Sequence, residues 1–275
     1  MKKLLRTSIC NLNPLLLTLY VLPLFLAILA YGFMGMGGGS IANVFFALSL
    51  ISIAPSAIIL AVAHMVNLYA TYYGRWASFS QMTATRAVDK ITAHSLYILL
   101  FDFLEIFFSG LALLVLYFMV RRVEEFDYFA AEFFRNFAGF FLPENSLTLG
   151  LFVVAVLIAV VFSIAIRVLV VTLGGIKAFQ PMSYGGPIVA YFLISMGHQL
   201  YRMLSFFIGQ LVPWYLVFDF SPTTDHLLVT SQWLEISGSA DQLPVPGLAI
   251  PFAILEIVIL FYLSYYLQKR RLSVS

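Results

Sequence analysis

Six ionisable side chains stand inside stretches that are otherwise apolar: Asp102, Glu105, Arg167, His198, Arg202 and Glu256. Asp102 and Glu105 are three residues apart, which puts both carboxylates on one side of a helix. Carboxylates, guanidinium groups and an imidazole in such stretches admit three kinds of chemistry. They can form ion pairs that fix helix register, line the moving path or gate of a substrate, or relay protons as in secondary transporters. A charge at the centre of a membrane helix costs on the order of 2.5–3.5 kcal/mol on insertion scales. These groups are therefore expected to meet one another or to line a wet cavity. At a rise of about 1.5 Å per residue, Glu105, Arg202 and Glu256 fall roughly 15–24 Å from the inner face. That depth allows a mid-membrane Glu105–Arg202–Glu256 cluster, with Asp102 nearer Arg167. His64 closes the second apolar run. Each of the four histidines is solitary along the sequence, which favours packing or hydrogen bonding over metal ligation, and no zinc-type Cys or His spacing occurs.

The elements that must position these groups are membrane helices. The 275-residue chain is 62% hydrophobic and 10% charged, with a mean hydropathy of +0.97, whereas a soluble domain carries about a quarter charged residues. The net charge of +2 says little about partners, and no nucleic acid is expected. The single cysteine, Cys10, rules out an internal disulfide. A bilayer-crossing helix needs about twenty apolar residues, and six runs meet that need, near 14–33, 43–69, 95–119, 149–172, 186–213 and 247–267. The expectation is one all-α transmembrane domain over 1–275, multi-pass in the cell (inner) membrane. Period-2 alternation is absent, which argues against an outer-membrane barrel. The first run is longer than a signal core of roughly 7–15 residues, so it is expected to stay as a span. Residues 2–12 read as an interfacial amphipathic helix, ended by Asn13-Pro14.

Charge placement orients the chain. With the N-terminus inside, the inner segments hold Lys2, Lys3, Arg6, Arg75, Arg86, Lys90, Lys177, Lys269, Arg270 and Arg271, and the outer ones only Arg121, Arg122 and Arg135. Short loops rich in Lys and Arg face the cytoplasm, so both termini are expected there. Of the outer connections, Gly35 to Ser40 reads as a flexible hairpin. Residues 121–142 read as an interfacial helix acting as a lid or an anchor. Within 214–246, Leu227-Leu228-Val229 with Trp233-Leu234 suggest a short helix dipping back towards the membrane.

The longest polar interruption of the first half is Tyr72 to His94, on the cytoplasmic side. In it Trp76, Phe79 and Met82 recur at helical spacing, followed by Arg86 and Lys90. A short amphipathic helix there can offer an aromatic knob to a partner's groove or rest in the headgroups. The chain has no Gly-Lys-Ser/Thr phosphate loop, so any ATP chemistry must belong to another polypeptide.

This plan resembles the type-2 ABC exporter permeases. The likeness lies in the interfacial start, six spans with both ends inside, the outer segment before the last span and the basic Gln268-Lys269-Arg270-Arg271 ending. Locally, Phe79 to Arg86 and on to Lys90 is similar to the family's coupling stretch, in which small residues, an arginine and a lysine lead into span three. Ser221-Pro222 is also similar, while the Glu/Gly-Thr run and the proline that often precede that arginine are missing. The resemblance implies that Trp76, Phe79, Met82, Arg86 and Lys90 dock on a separate nucleotide-binding ATPase subunit, which binds ATP and magnesium. It further implies a second permease subunit, like or unlike, and no cofactor, resident metal or catalytic residue in this chain. The substrate would be an amphiphile such as a lipid, peptide or drug. A stand-alone ion- or proton-coupled transporter using Asp102, Glu105 and Glu256 is the competing class. An intramembrane hydrolase, hinted at by Glu124-Glu125, has no second motif to support it.

Overall fold

The computed structural model describes residues 5–6, 9, 15–73, 86–122, 146–176, 178–211, 215–219, 227–230, 242–246 and 248–272. Its elements in chain order are α1 (Leu15–Gly35), α2 (Gly39–Tyr72), α3 (Ala87–Arg122), α4 (Ser146–Gly174), a 3-10 turn (Gln180–Met182), and α5 (Gly185–Leu211). Then follow β1 (Tyr215–Asp219), β2 (Leu227–Thr230), β3 (Gln242–Pro246) and α6 (Ala249–Leu272). Most of the interfacial stretch 2–12, all of 123–145, and Trp233-Leu234 lie outside the described residues.

Five of the helices, α1 to α4 and α6, are long and apolar enough to cross a membrane, the mark of a multi-pass membrane protein. Helix is the form an apolar run must take in lipid, because it satisfies every backbone polar group within the segment. The outward faces agree: Ile51, Phe103 and Phe25 are 67%, 65% and 53% exposed, a cost in water that lipid removes. At 34 and 36 residues, α2 and α3 exceed what the hydrocarbon core requires, so they tilt or extend beyond it. Helix α5 is 27 residues long. Its residues Gly197, His198, Gln199 and Arg202 interrupt its apolar run, and it is not among those five.

The chain divides into two units. The first holds residues 1–126, 166–191 and 261–275, and the second 127–165 and 192–260. In the first, α1 packs on α2 and α3. Small side chains make this close approach possible: Ala27, Ala30, Ala42 and Ser49 are wholly buried, and Ser49 Oγ donates to the Pro23 carbonyl at 2.8 Å. The α1–α2 connection is a short turn closed by a helix cap. The Gly38 N–H reaches the Phe33 carbonyl at 2.9 Å and the Gly37 N–H the Met34 carbonyl at 3.0 Å, with Gly37 at φ +80°. This is the Schellman arrangement, and the left-handed residue it needs is glycine. Where α4 meets α5, a Cβ on Gly186 would lie 2.9 Å from the Phe179 carbonyl oxygen, so only glycine lets the backbones come this close.

In the second unit the stretch before α6 corrects the expectation of a short re-entrant helix. Leu227–Thr230 is a strand, paired antiparallel with β1, which pairs on its other edge with β3. Runs of four or five residues such as YLVFD and LLVT are too short to bury a helical stripe, and their apolar content suits strands equally well. Pro244 and Pro246 fall in β3, an edge strand, opposite Val217 and Tyr215. An edge strand is where a residue without an N–H is tolerated, since only one of its sides is paired. Outside this sheet, the described elements are helical.

Gly37→Ala should destabilise the protein by about 1–2 kcal/mol, the cost of a left-handed L-residue, whereas Gly35→Ala, with open space around its Cβ, should not. Thermal unfolding in detergent distinguishes the two, and equal melting temperatures would contradict the cap.

Candidate functional site

Within the first unit, α3 and α4 are joined by an ion pair. Arg167 Nη1 donates to Asp102 Oδ1 at 2.7 Å and Nη2 to Asp102 Oδ2, with both side chains nearly buried. The planar guanidinium matches the carboxylate fork for fork. Glu105 lies one turn beyond Asp102, half-buried, and makes no hydrogen bond or ion pair among the described residues.

The same unit contains a hydrogen-bonded chain that links α1, α2 and α3. His64 Nε2 meets the Tyr20 hydroxyl, His64 Nδ1 meets the Tyr97 hydroxyl at 3.0 Å, and Asn67 Nδ2 donates to Tyr97 Oη at 2.7 Å. A neutral imidazole does this with one donating and one accepting nitrogen. His64 is also stacked on Phe101 at 4.5 Å. His94 is wholly buried with its ring edge-on to Tyr72 at 4.2 Å, and neither ring nitrogen has a hydrogen-bond partner among the described residues. The roles of Tyr20, Asn67 and Tyr97 were not read from sequence. The available signal was polar residues at three-residue spacing in an apolar run, His64 with Asn67.

The second unit holds a cavity of about 700 Å³. Its walls come from α4 (Ala155, Ile158, Ala159, Phe162), α5 and α6 (Ala249, Phe252, Ala253, Glu256). Alanines at i and i+4 on α4 and again on α6 leave the space that larger side chains would fill. From α5 come His198, Tyr201, Arg202 and Ser205, a stripe at i, i+3, i+4 and i+7 that shares one helix face. Among the long helices, α5 is the most one-sided in polarity.

Two bonds set the register of α5 against α6. Tyr201 Oη donates to the Phe252 carbonyl at 3.0 Å, and His198 Nδ1 meets Glu256 Oε1 at 2.7 Å. His198 also packs on the Phe162 ring at 4.6 Å. The Glu105–Arg202–Glu256 cluster that helix depth allowed gives way to a His198–Glu256 pair. In this antiparallel register Glu256 is level with His198, and Arg202 stands one turn, about 5.4 Å, further along. Glu105 belongs to the other unit. The Arg202 side chain is exposed and makes no hydrogen bond or ion pair among the described residues. No group of three His, Cys, Asp or Glu able to hold a metal comes together among the described residues.

Of the coupling stretch, Trp76, Phe79 and Met82 lie outside the described residues. Arg86 is exposed directly before α3, its carbonyl accepting the Lys90 N–H at 3.3 Å, and Lys90 is in the first turn of that helix. In comparisons with family models, curated proteins and solved structures, nothing matches this chain.

Breaking a buried ion pair by removing one partner typically costs 3–5 kcal/mol. Asp102→Asn and Arg167→Met should each lose stability on that scale, and the double variant should lose clearly less than the sum. Unfolding of all four proteins in detergent gives the coupling energy directly. Strict additivity would mean the pair contributes nothing beyond its parts.

Proposed function

We propose that this chain is the membrane-spanning permease subunit of an ATP-driven exporter, moving an amphiphilic substrate with energy from a separate nucleotide-binding subunit. The observation that carries this reading is the cavity: an apolar hollow among three helices, with a guanidinium, an imidazole and a carboxylate on its wall. Such a site suits a molecule with both an apolar body and a polar head. In this reading α5 is the sixth span, its polar stripe turned to the cavity. Support comes from its exposed apolar residues Phe192, Met196, Leu200 and Leu204, at helical spacing on another side, where lipid would cover them.

Six spans, with ten basic residues in the inner segments against three in the outer, give both termini on the cytoplasmic side of the cell membrane. The exposed Arg86 then faces the cytoplasm at the foot of α3. There, with Lys90 and the segment containing Trp76, Phe79 and Met82, it meets the ATPase subunit. The absence of a phosphate loop from the sequence fits an external ATPase. A second permease subunit completes the pore. One feature favours the proton-coupled alternative, the His198–Glu256 pair on the cavity wall, since such a pair can exchange a proton.

Purified from its native membrane, the chain should bring with it a nucleotide-hydrolysing subunit. Arg86→Glu and Lys90→Glu should each reduce that recovery several-fold, since reversing a rim charge weakens association. Unchanged recovery in both variants contradicts the coupling role. Substrate movement by the purified chain alone in liposomes, driven by a proton gradient without ATP, selects the alternative.

A further inference from the structure

Within the cavity of the second unit, the two kinds of charge are not equally satisfied. The Glu256 carboxylate has its partner in His198 Nδ1 at 2.7 Å. The Tyr201 hydroxyl is bonded to the Phe252 carbonyl, and Ser205 Oγ to the Tyr201 carbonyl at 2.8 Å. Arg202, on the same face of α5, is the lining group whose donors are met by no acceptor among the described residues. A guanidinium offers five N–H donors in a planar fork and cannot shed its proton. Beside an apolar wall, that fork is complementary to a planar or tetrahedral oxyanion.

We propose that this cavity binds an amphiphile with an anionic head group, a carboxylate or a phosphate, held by Arg202, with its apolar body against Ala155, Ile158, Phe162 and Phe252. The proposal takes the cavity as the substrate site of the transporter read above and names the chemical class it carries. The volume of about 700 Å³ lies within the range that encloses a drug-sized molecule. The alanines at 155, 159, 249 and 253 keep the apolar part open. The His198–Glu256 pair leaves the carboxylate engaged, so a cationic head would have to displace an imidazole that already sits at hydrogen-bond distance. An anionic head displaces nothing.

The test uses the purified full chain in neutral-lipid nanodiscs, with neither nucleotide nor partner. Four photoreactive diazirine probes of one chain length are compared: an alkyl carboxylate, its methyl ester, an alkyl phosphate and an alkyl trimethylammonium. Crosslinked residues are read by peptide mass spectrometry. The carboxylate and phosphate should label the α4 segment 155–162 and the α6 segment 249–256 at least tenfold more than the ester, the scale of one charge-assisted hydrogen-bond pair. Arg202→Gln should reduce labelling by the anionic probes about tenfold and leave the ester unchanged, while Arg202→Lys should keep most of it. Ala159→Phe, which fills the space, should reduce labelling by both anionic probes.

Equal labelling by ester and carboxylate, or strongest labelling by the trimethylammonium probe, overturns the proposal. Anionic labelling that survives Arg202→Gln overturns it too. Should the Arg202 variants not fold, the wild-type comparison of ester with carboxylate decides alone. Because no ATPase takes part, selective labelling can stand while the exporter reading fails, and the reverse outcome is equally readable.

Discussion

An ionised side chain surrounded by lipid must be compensated, and much of this structure follows from that constraint. The hydrocarbon offers no hydrogen bonds, so each charge or buried polar group needs a partner supplied by another helix. In the first unit Asp102 answers Arg167, and His64 is held between two tyrosine hydroxyls. Each bond fixes one helix against another at a particular height. Small residues such as Ala27 and Ser49 then allow the backbones to approach. Helix packing in lipid gains little from hydrophobic burial, so these polar bonds and close contacts specify the arrangement.

The second unit follows the same rule with a different result. His198 answers Glu256 and Tyr201 answers the Phe252 carbonyl, which locks α5 to α6. Alanines on α4 and α6 decline to fill the space beside that seam. The residue left over is Arg202. In the first unit the polar groups described above are largely consumed by architecture, Glu105 and the His94 ring excepted, whereas here one strong donor is kept available in an apolar hollow. That difference is why the cavity, rather than the Asp102–Arg167 pair, is read as the place where a substrate is handled.

Much of this was legible beforehand, for identifiable reasons. Lipid-crossing helices announce themselves by length and apolarity, so all six helices were readable, Gly185–Leu211 to within two residues; the start of α3 was read late, at 95 rather than Ala87, because Asp89, Lys90 and His94 interrupt the apolar run there. The proximity of Asp102 to Arg167 followed from counting helical rise. The partner of Glu256 did not, because depth alone cannot resolve one helical turn, and a tyrosine-to-carbonyl bond decided which turn faced which. The strand Leu227–Thr230 was misread because three apolar residues in a row carry no periodicity. The Gly35 to Ser40 loop was read from its composition alone, which does not reveal that Gly37 serves to close a helix end.

The central claim is that α5 crosses the membrane with its His198–Ser205 stripe towards the cavity and its other side towards lipid. Thiol accessibility along that helix tests this most directly. In a Cys10→Ser background reconstituted in nanodiscs, single variants Tyr201→Cys and Ser205→Cys should react quickly with a charged methanethiosulfonate reagent. Leu200→Cys and Leu204→Cys should react at least tenfold more slowly. Fast reaction at all four positions, or at the leucines alone, would contradict the account.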